Sequence, residues 1–426
     1  MPLHQHPQRH ALHNEIHARP PEAMGIPVAI SHVVMLTDAH QREASRAHIA
    51  QLLRNYHLPA PDASCTHLRV DLGLYRVRWE MHTEFVTWTF NRTLDAKNWN
   101  PADPMTAGQV VAQGWLAQLP GQCLSSMHMW VLPTSTADSE QLVRRVLNED
   151  SLVASTVADG LGEVYTDFAI HADGFSRMLL LAGSVSPRRL GRLVQQLLEI
   201  ETYRMAALLG LPAARQAATE LASAEGELAD LALAIRSANP SEEPQLLDRL
   251  TRLAGQVESQ YATTHSRFSA SSAYFELIDR RIEDITESRL AGMQTIREFM
   301  DRRLTPARST CQWATRRQDA LSQRVSRISN LLRTRVEIEQ QQSSKELLAT
   351  MNRRQDLQLR LQSTVEGLSV AAITYYIVGL VFYAAKGAQS LGWPISPESS
   401  AALAIPVVAL AIGWSLRRLH RQMFKS

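Results

Sequence analysis

Two apolar stretches constrain this chain more than anything else in it. Val365 to Ala385 reads VEGLSVAAITYYIVGLVFYAA, and Ser399 to Leu416 reads SSAALAIPVVALAIGWSL. A helix needs roughly 20 predominantly apolar residues to cross the hydrocarbon core of a bilayer, and both stretches are near that length. The connection between them, 386–398, is short and contains Gly and Pro, as a turn requires. The pattern predicts a transmembrane hairpin over 365–416, followed by a basic tail over 417–426.

The charges beside the two stretches predict an orientation. Arg353, Arg354 and Arg360 precede the first, and Arg417, Arg418, His420, Arg421 and Lys425 follow the second. The connection carries only Lys386 against Glu398. An excess of Lys and Arg marks the cytoplasmic side, so both termini are expected there and the connection outside. The second stretch is rich in Ala and carries Pro406; small residues favour close packing of helix on helix over lipid contact. The first residues, MPLHQHPQRH, have no apolar core, so no cleavable signal peptide is expected. Three widely spaced cysteines, Cys65, Cys123 and Cys311, suggest no disulfide framework and fit a reducing compartment. A net charge of +2 gives no large field, which argues against nucleic acid as a partner.

Upstream of the hairpin the periodicity changes once. Residues 1–26 form a His-rich arm, broken by Pro20 and Pro21. From 27 to 185 the pattern is that of an α+β domain with a largely antiparallel sheet. Strands are expected over 27–36, 66–72, 74–81, 84–91, 123–132, 151–158, 163–171 and 175–182, with helices over 39–55, 107–119 and 139–148. Asp38 has the character of an N-cap. Asp159-Gly160 and Asp173-Gly174 are hairpin dipeptides. After Ser186-Pro187, a favourable helix start, residues 186–364 read as a helical, coiled-coil-like stalk. Breaks are expected at Gly210-Leu211-Pro212, at Asn239-Pro240 and at Pro306, giving helices of about 187–209, 213–237, 245–303 and 307–388. Phe275, Ile278, Ile282, Ile285, Ile296 and Met300 follow a nearly seven-residue repeat. The last helix is expected to continue into the first apolar stretch.

Few residues point to chemistry. His13, Glu15 and His17 would share a face of an extended chain, and two imidazoles with a carboxylate suit a divalent metal such as Zn; the alternative is a packing arm. Arg19, with Glu22, suits an anion or a binding partner. Asp167, His171 and Asp173 cluster near a strand end. Glu366, Thr374, Tyr375, Tyr376, Gly379, Tyr383 and Lys386 make the first apolar stretch unusually polar, as packing between helices or the lining of a pore would require. The basic excess over 316–360, ten Lys and Arg against five Asp and Glu, suits a solvated face or anionic headgroups. No phosphate-binding glycine loop or nucleophile elbow is present, and nothing favours an enzyme.

Two resemblances follow from particular segments. LHNEIHARPPEAM (Leu12 to Met24), LLEIETYRMAALLGLP (Leu197 to Pro212) and ITYYIVGLVFYAAKG (Ile373 to Gly387) resemble the uncharacterised membrane-anchored bacterial family known as domain-of-unknown-function family 3422. That resemblance spans nearly the whole chain; it implies a multi-pass protein of the bacterial inner membrane and supplies no activity. The order of elements is also similar to the CorA-type magnesium channels, which are homopentamers whose first spans line the pore. Those channels carry a Gly-Met-Asn-type tripeptide at the outer end of that span, whereas this chain has Tyr383-Ala384-Ala385-Lys386-Gly387, and a lysine there repels divalent cations. The sequence therefore leads to the expectation of a membrane-anchored homo-oligomeric binding, scaffolding or regulatory module. A CorA-like channel is the first alternative and a metal-dependent enzyme the second.

Overall fold

The computed structural model describes residues 5–10, 12–13, 20–95, 100, 103–136, 139–389, 392 and 394–423. It divides into two units, Met1–Arg236 with Asp248–Ser329, and Ser237–Leu247 with Asn330–Ser426.

The first unit is built on a nine-stranded sheet in the order β2-β3-β4-β1-β5-β8-β7-β6-β9. Its strands are β1 (Val28–Leu36), β2 (His67–Asp71), β3 (Arg76–Met81), β4 (Phe85–Thr93), β5 (Gln122–Pro133), β6 (Val153–Val157), β7 (Gly162–Thr166), β8 (Ser176–Ala182) and β9 (Ser288–Arg289). The β2-β3-β4 meander is antiparallel, as the alternation predicts, and β1 lies antiparallel between β4 and β5. The pair β5–β8 is parallel, which makes the sheet mixed. The β6–β7 hairpin turns through Ala158, Asp159 and Gly160, all with positive φ.

Helix α1 (Ala39–Asn55) starts where Asp38 predicts. The Asp38 carboxylate accepts from the Gln41 amide at 2.7 Å, and the Gln41 side chain accepts from the Asp38 amide at 3.1 Å, a reciprocal capping box. The helix expected over 107–119 is instead a 3-10 turn, Gly108–Val110, and one turn of helix, α2 (Gln113–Leu116). Then come α3 (Ser139–Val146), α4 (Pro187–Leu208), α5 (Gly210–Ser237), α6 (Glu243–Asp284), α7 (Ile296–Gln389) and α8 (Pro397–Met423).

Side chains alternate across the sheet, so each strand feeds two cores. Ala29, Val33, Trp79, Trp88, Phe90 and Trp130 pack on one face with Ile49 and Leu53 of α1 and Leu142 of α3. Val28, Ile30, Met127, Met129, Met178 and Leu180 pack on the other with α4, the end of α6 and the start of α7. Phe275, Ile278, Ile282, Ile285, Ile296 and Met300 all belong to this second core. Their seven-residue spacing therefore serves to cover a sheet.

Two expected helix boundaries move for identifiable reasons. The helix predicted over 245–303 is interrupted after Asp284. Thr286 and Gly292 take positive φ there, and β9 adds to the edge of β6. Pro306 does not end a helix; it lies inside α7. A proline in a helix interior removes one hydrogen bond and crowds the preceding turn, but its neighbours Leu304 and Ala307 are anchored in the core and hold the axis.

Helix α7 begins in a clamp. Glu287 accepts from the amides of Ile296 and Arg297 at 3.1 and 2.8 Å and from the Ser155 hydroxyl at 2.8 Å. A carboxylate at a helix N-terminus satisfies otherwise orphaned amides and complements the dipole. From there α7 continues for 94 residues without interruption. In its C-terminal part it carries an 18-residue window of mean hydropathy 1.9, and Pro397–Ser415 of α8 reaches 1.4. Both helices are long and apolar enough to cross a membrane.

Candidate functional site

The two faces of the β2-β3-β4-β1 half of the sheet differ sharply. One carries Trp79, Trp88 and Phe90. The other carries His67 and Arg69 of β2, Arg76, Arg78 and Glu80 of β3, Thr87, Thr89 and Asn91 of β4, and His32 of β1. Helix α4 lies over this polar face and presents Gln195, Glu199 and Thr202 at helical spacing. Between them is a cleft of about 190 Å³.

His32 is fixed at the floor of the cleft. Its Nδ1 is 2.8 Å from the Thr89 hydroxyl and its Nε2 is 3.1 Å from the Thr202 hydroxyl. Thr202 donates its own proton to the Leu198 carbonyl at 2.9 Å, so it accepts from Nε2–H, and Nδ1 accepts from Thr89. Burial, with a smaller contribution from the Arg78 and His82 charges, lowers the His32 pKa from 6.5 to about 3. The imidazole is therefore a neutral structural bridge between β4 and α4.

Charged groups line the walls. Arg78 pairs with Glu80 at 2.7 Å, both largely buried. Gln195 donates to Glu199 at 2.8 Å, and Arg281 of α6 pairs with the same carboxylate. Arg78 Nε, Thr87 Oγ1 and Gln195 Oε1 are buried without a hydrogen-bond partner in the protein. On the same face His67 Nδ1 and Asn91 Oδ1 share that condition. Buried polar atoms are nearly always satisfied; Trp79 Nε1 and Trp88 Nε1 on the opposite face also lack a partner, while Arg78, Thr87 and Gln195 line the cleft. Neighbouring strands hold Arg69 opposite Arg78, and burial and then the Arg78 charge lower the Arg69 pKa.

The N-terminal arm closes one end of the polar face. Arg69 donates to the Pro20 carbonyl, Arg76 pairs with Glu22 at 2.8 Å and with Asp71 at 3.1 Å, and the Met24 amide donates to the Pro187 carbonyl at 2.9 Å. Gly191 of α4 makes the close approach possible: a Cβ there would stand 2.8 Å from the Glu22 carbonyl carbon and closer still to its oxygen. A family model described as protein of unknown function (DUF3422) matches residues 4–423. The chain belongs to the DUF3422 family. No curated protein and no solved structure matches it.

The residues singled out in this DUF3422 sequence are placed as follows. Glu15, His17 and Arg19 lie outside the described residues. His13 is described and exposed, and no group of three or more His, Cys, Asp or Glu able to hold a metal occurs among the described residues. Glu22 is engaged by Arg76. Asp167 and His171 do meet, at 2.8 Å; Asp167 also accepts from the Asn148 amide at 2.9 Å, while Asp173 pairs with Arg177 at 3.1 Å. These contacts clasp a loop. On α7, Thr374 is buried and donates to the Val370 carbonyl at 2.7 Å. Gln362 donates to Glu366 at 3.2 Å. Tyr375, Tyr376, Tyr383 and Lys386 are exposed and Gly379 is half-buried. The cleft residues Arg78, Thr87, Gln195 and Glu199 were not anticipated. Their signal was present: RVRWEM and FVTWTFN alternate a polar with an aromatic face.

Proposed function

We propose that this protein is a membrane-anchored homo-oligomer of the bacterial inner membrane, acting as a cytoplasm-facing binding or regulatory module. The observation that carries the reading is the continuity of α7. Its first turns, through Ile296, Met300, Leu304 and Ala307, are part of the sheet-domain core, and the same unbroken helix contains the more apolar of the two membrane-length windows. The basic residues Arg353, Arg354 and Arg360 before that window, against Lys386 after it, support cytoplasmic termini. Self-association is supported by residues 341–365 of α7, where every residue is exposed, including Leu347, Leu348, Met351, Leu357, Leu359 and Leu361. A helix of this length with apolar residues on several faces gains stability by packing, and other copies of itself are the available partners.

A CorA-like channel is the second reading. It is favoured by the order of elements and by the exposed Tyr375, Tyr376 and Tyr383 of α7. Thr374, satisfied by its own helix, contributes little to a pore.

Expression of the full chain followed by carbonate washing and flotation with liposomes tests the anchor. Recovery of the protein in the aqueous fraction without detergent removes the reading. Mass measurement in nanodiscs tests assembly, and a strict monomer removes both the oligomer and the channel. Magnesium flux into liposomes that is abolished by Tyr375→Ala would move the channel to first place.

A further inference from the structure

The cleft between α4 and the polar face of β3 and β4 has a lining of defined chemistry. Three of its buried polar atoms lack a protein partner: Arg78 Nε, Thr87 Oγ1 and Gln195 Oε1. Thr87 is only 4% exposed. The first atom is a donor, the second both donor and acceptor, and the third an acceptor. The free donors suit a carboxylate, because Arg78 keeps Nε–H available after its pairing with Glu80, and Thr87, opposite Glu80 on the neighbouring strand, keeps its hydroxyl. The free acceptor suits an ammonium, because Gln195 Oε1 lies on a side chain whose amide nitrogen is held by the Glu199 carboxylate.

The charges around the cleft balance. Arg78 faces Glu80, and Arg281 faces Glu199. A ligand with net charge would introduce an uncompensated charge into a partly desolvated space, which is costly. A ligand carrying both signs would not. Size narrows the class further. A volume of about 190 Å³ corresponds to about six waters at about 30 Å³ each, enough for a molecule of few heavy atoms. Phe85 and Leu198 offer apolar contact for a small side chain.

We propose that this cleft binds a small zwitterion of the α-amino acid class, with its carboxylate on Arg78 and Thr87 and its ammonium on Gln195 beside Glu199. This assigns a ligand to the binding role proposed above, and it is measured without a bilayer, so the two readings fail separately. Flotation can fail while binding stands, and binding can fail while flotation stands.

The test uses the full chain in detergent micelles. The midpoint of unfolding is read from Trp fluorescence with glycine, L-alanine or L-serine, and with acetate, ethylamine and inorganic phosphate as probes that carry charge of one sign only. Binding constants come from calorimetry. The amino acids are expected to raise the midpoint by about 3 °C at a hundredfold excess over their dissociation constant, and the probes of one charge sign to leave it unmoved. Thr87→Val removes a hydroxyl that has no protein partner, so the unliganded midpoint holds while the affinity falls at least tenfold; Gln195→Met weakens binding similarly. Equal shifts with acetate or phosphate would overturn the proposal in favour of a plain anion site. No shift with any amino acid overturns it, as does a Thr87→Val variant that binds like the parent.

Discussion

Gly191→Ala is the sharpest test of how the N-terminal arm is seated. On an ordinary helix this change stabilises, because alanine is the better helix former by up to about 1 kcal/mol. Here the sign should reverse. The new Cβ would stand 2.8 Å from the Glu22 carbonyl carbon and closer still to its oxygen, against an optimal carbon–carbon separation of about 3.5–4.0 Å, so arm and helix must part by more than about 1 Å. Such a displacement breaks the 2.9 Å bond from the Met24 amide to Pro187, a neutral bond contributing about 1 kcal/mol. It also loosens the Arg69 bond to the Pro20 carbonyl. The Glu22–Arg76 pair adds little, since the Arg76 side chain is 51% exposed. Together these contacts hold the arm by about 2–4 kcal/mol. Their loss raises the opening of the arm by roughly 30- to 700-fold at 1.4 kcal/mol per tenfold. Hydrogen exchange followed by mass spectrometry on peptides spanning 20–26 reads this directly. Gly226→Ala, on α5 with nothing within 4 Å of a new Cβ, is the control and should stabilise slightly. If Gly191→Ala leaves the protection of Met24 unchanged, or stabilises the protein as Gly226→Ala does, the seating of the arm described above is wrong.

Three further outcomes follow from the geometry. His32 and His128 have pKa values lowered by burial to about 3 and about 4, from 6.5 unfolded. Below pH 6.5 the unfolded chain binds protons that the folded chain refuses, so stability is full above that pH and falls as acid is added. Each histidine contributes a slope of up to about 1.4 kcal/mol per pH unit, and His32→Asn should remove its own share of the slope in fluorescence-monitored unfolding between pH 6.5 and 5. Glu287→Gln takes a charge and an acceptor from the start of α7 and should cost about 1–2 kcal/mol, seen as faster exchange at Ile296 and Arg297; unchanged exchange there would mean that the clamp does not hold the helix. Phe275→Ala should destabilise the sheet domain by about 3–5 kcal/mol and leave the mass measured in nanodiscs at the parent's value, whereas a coiled-coil role for Phe275 predicts that any assembly is lost first.

Local signals in the sequence reached far for single elements and stopped at pairings. Asp38 and Gln41 specified the start of α1 because a capping box is satisfied within four residues. The β2-β3-β4 meander was legible because its alternation is local. The parallel β5–β8 pair was not, since the chain passes through α3, β6 and β7 before returning. The break after Asp284 was hidden because Ile285 and Ile296 are both buried and keep the helical rhythm in phase across the β9 segment. Pro306 misled in the opposite direction, its local preference overridden by the packing of Leu304 and Ala307. The cleft was half legible. Arg78 and Thr87 stand in alternating strands, but Gln195 and Glu199 come from a helix more than a hundred residues on, and nothing local brings them to the same place.

The continuity of α7 also orders events during synthesis. The last residue that α7 gives to the sheet-domain core is Ala307, and the first apolar stretch begins at Val365, 58 residues later, 365 minus 307. At roughly 5–20 residues per second the ribosome takes roughly 3–12 s to cover that distance. Every strand and both cores of the sheet domain are therefore complete in the nascent chain before the segment that would address it to a bilayer has been made. On the proposed reading, the cytoplasmic part folds first as a free domain, and the membrane receives a finished body by its tether.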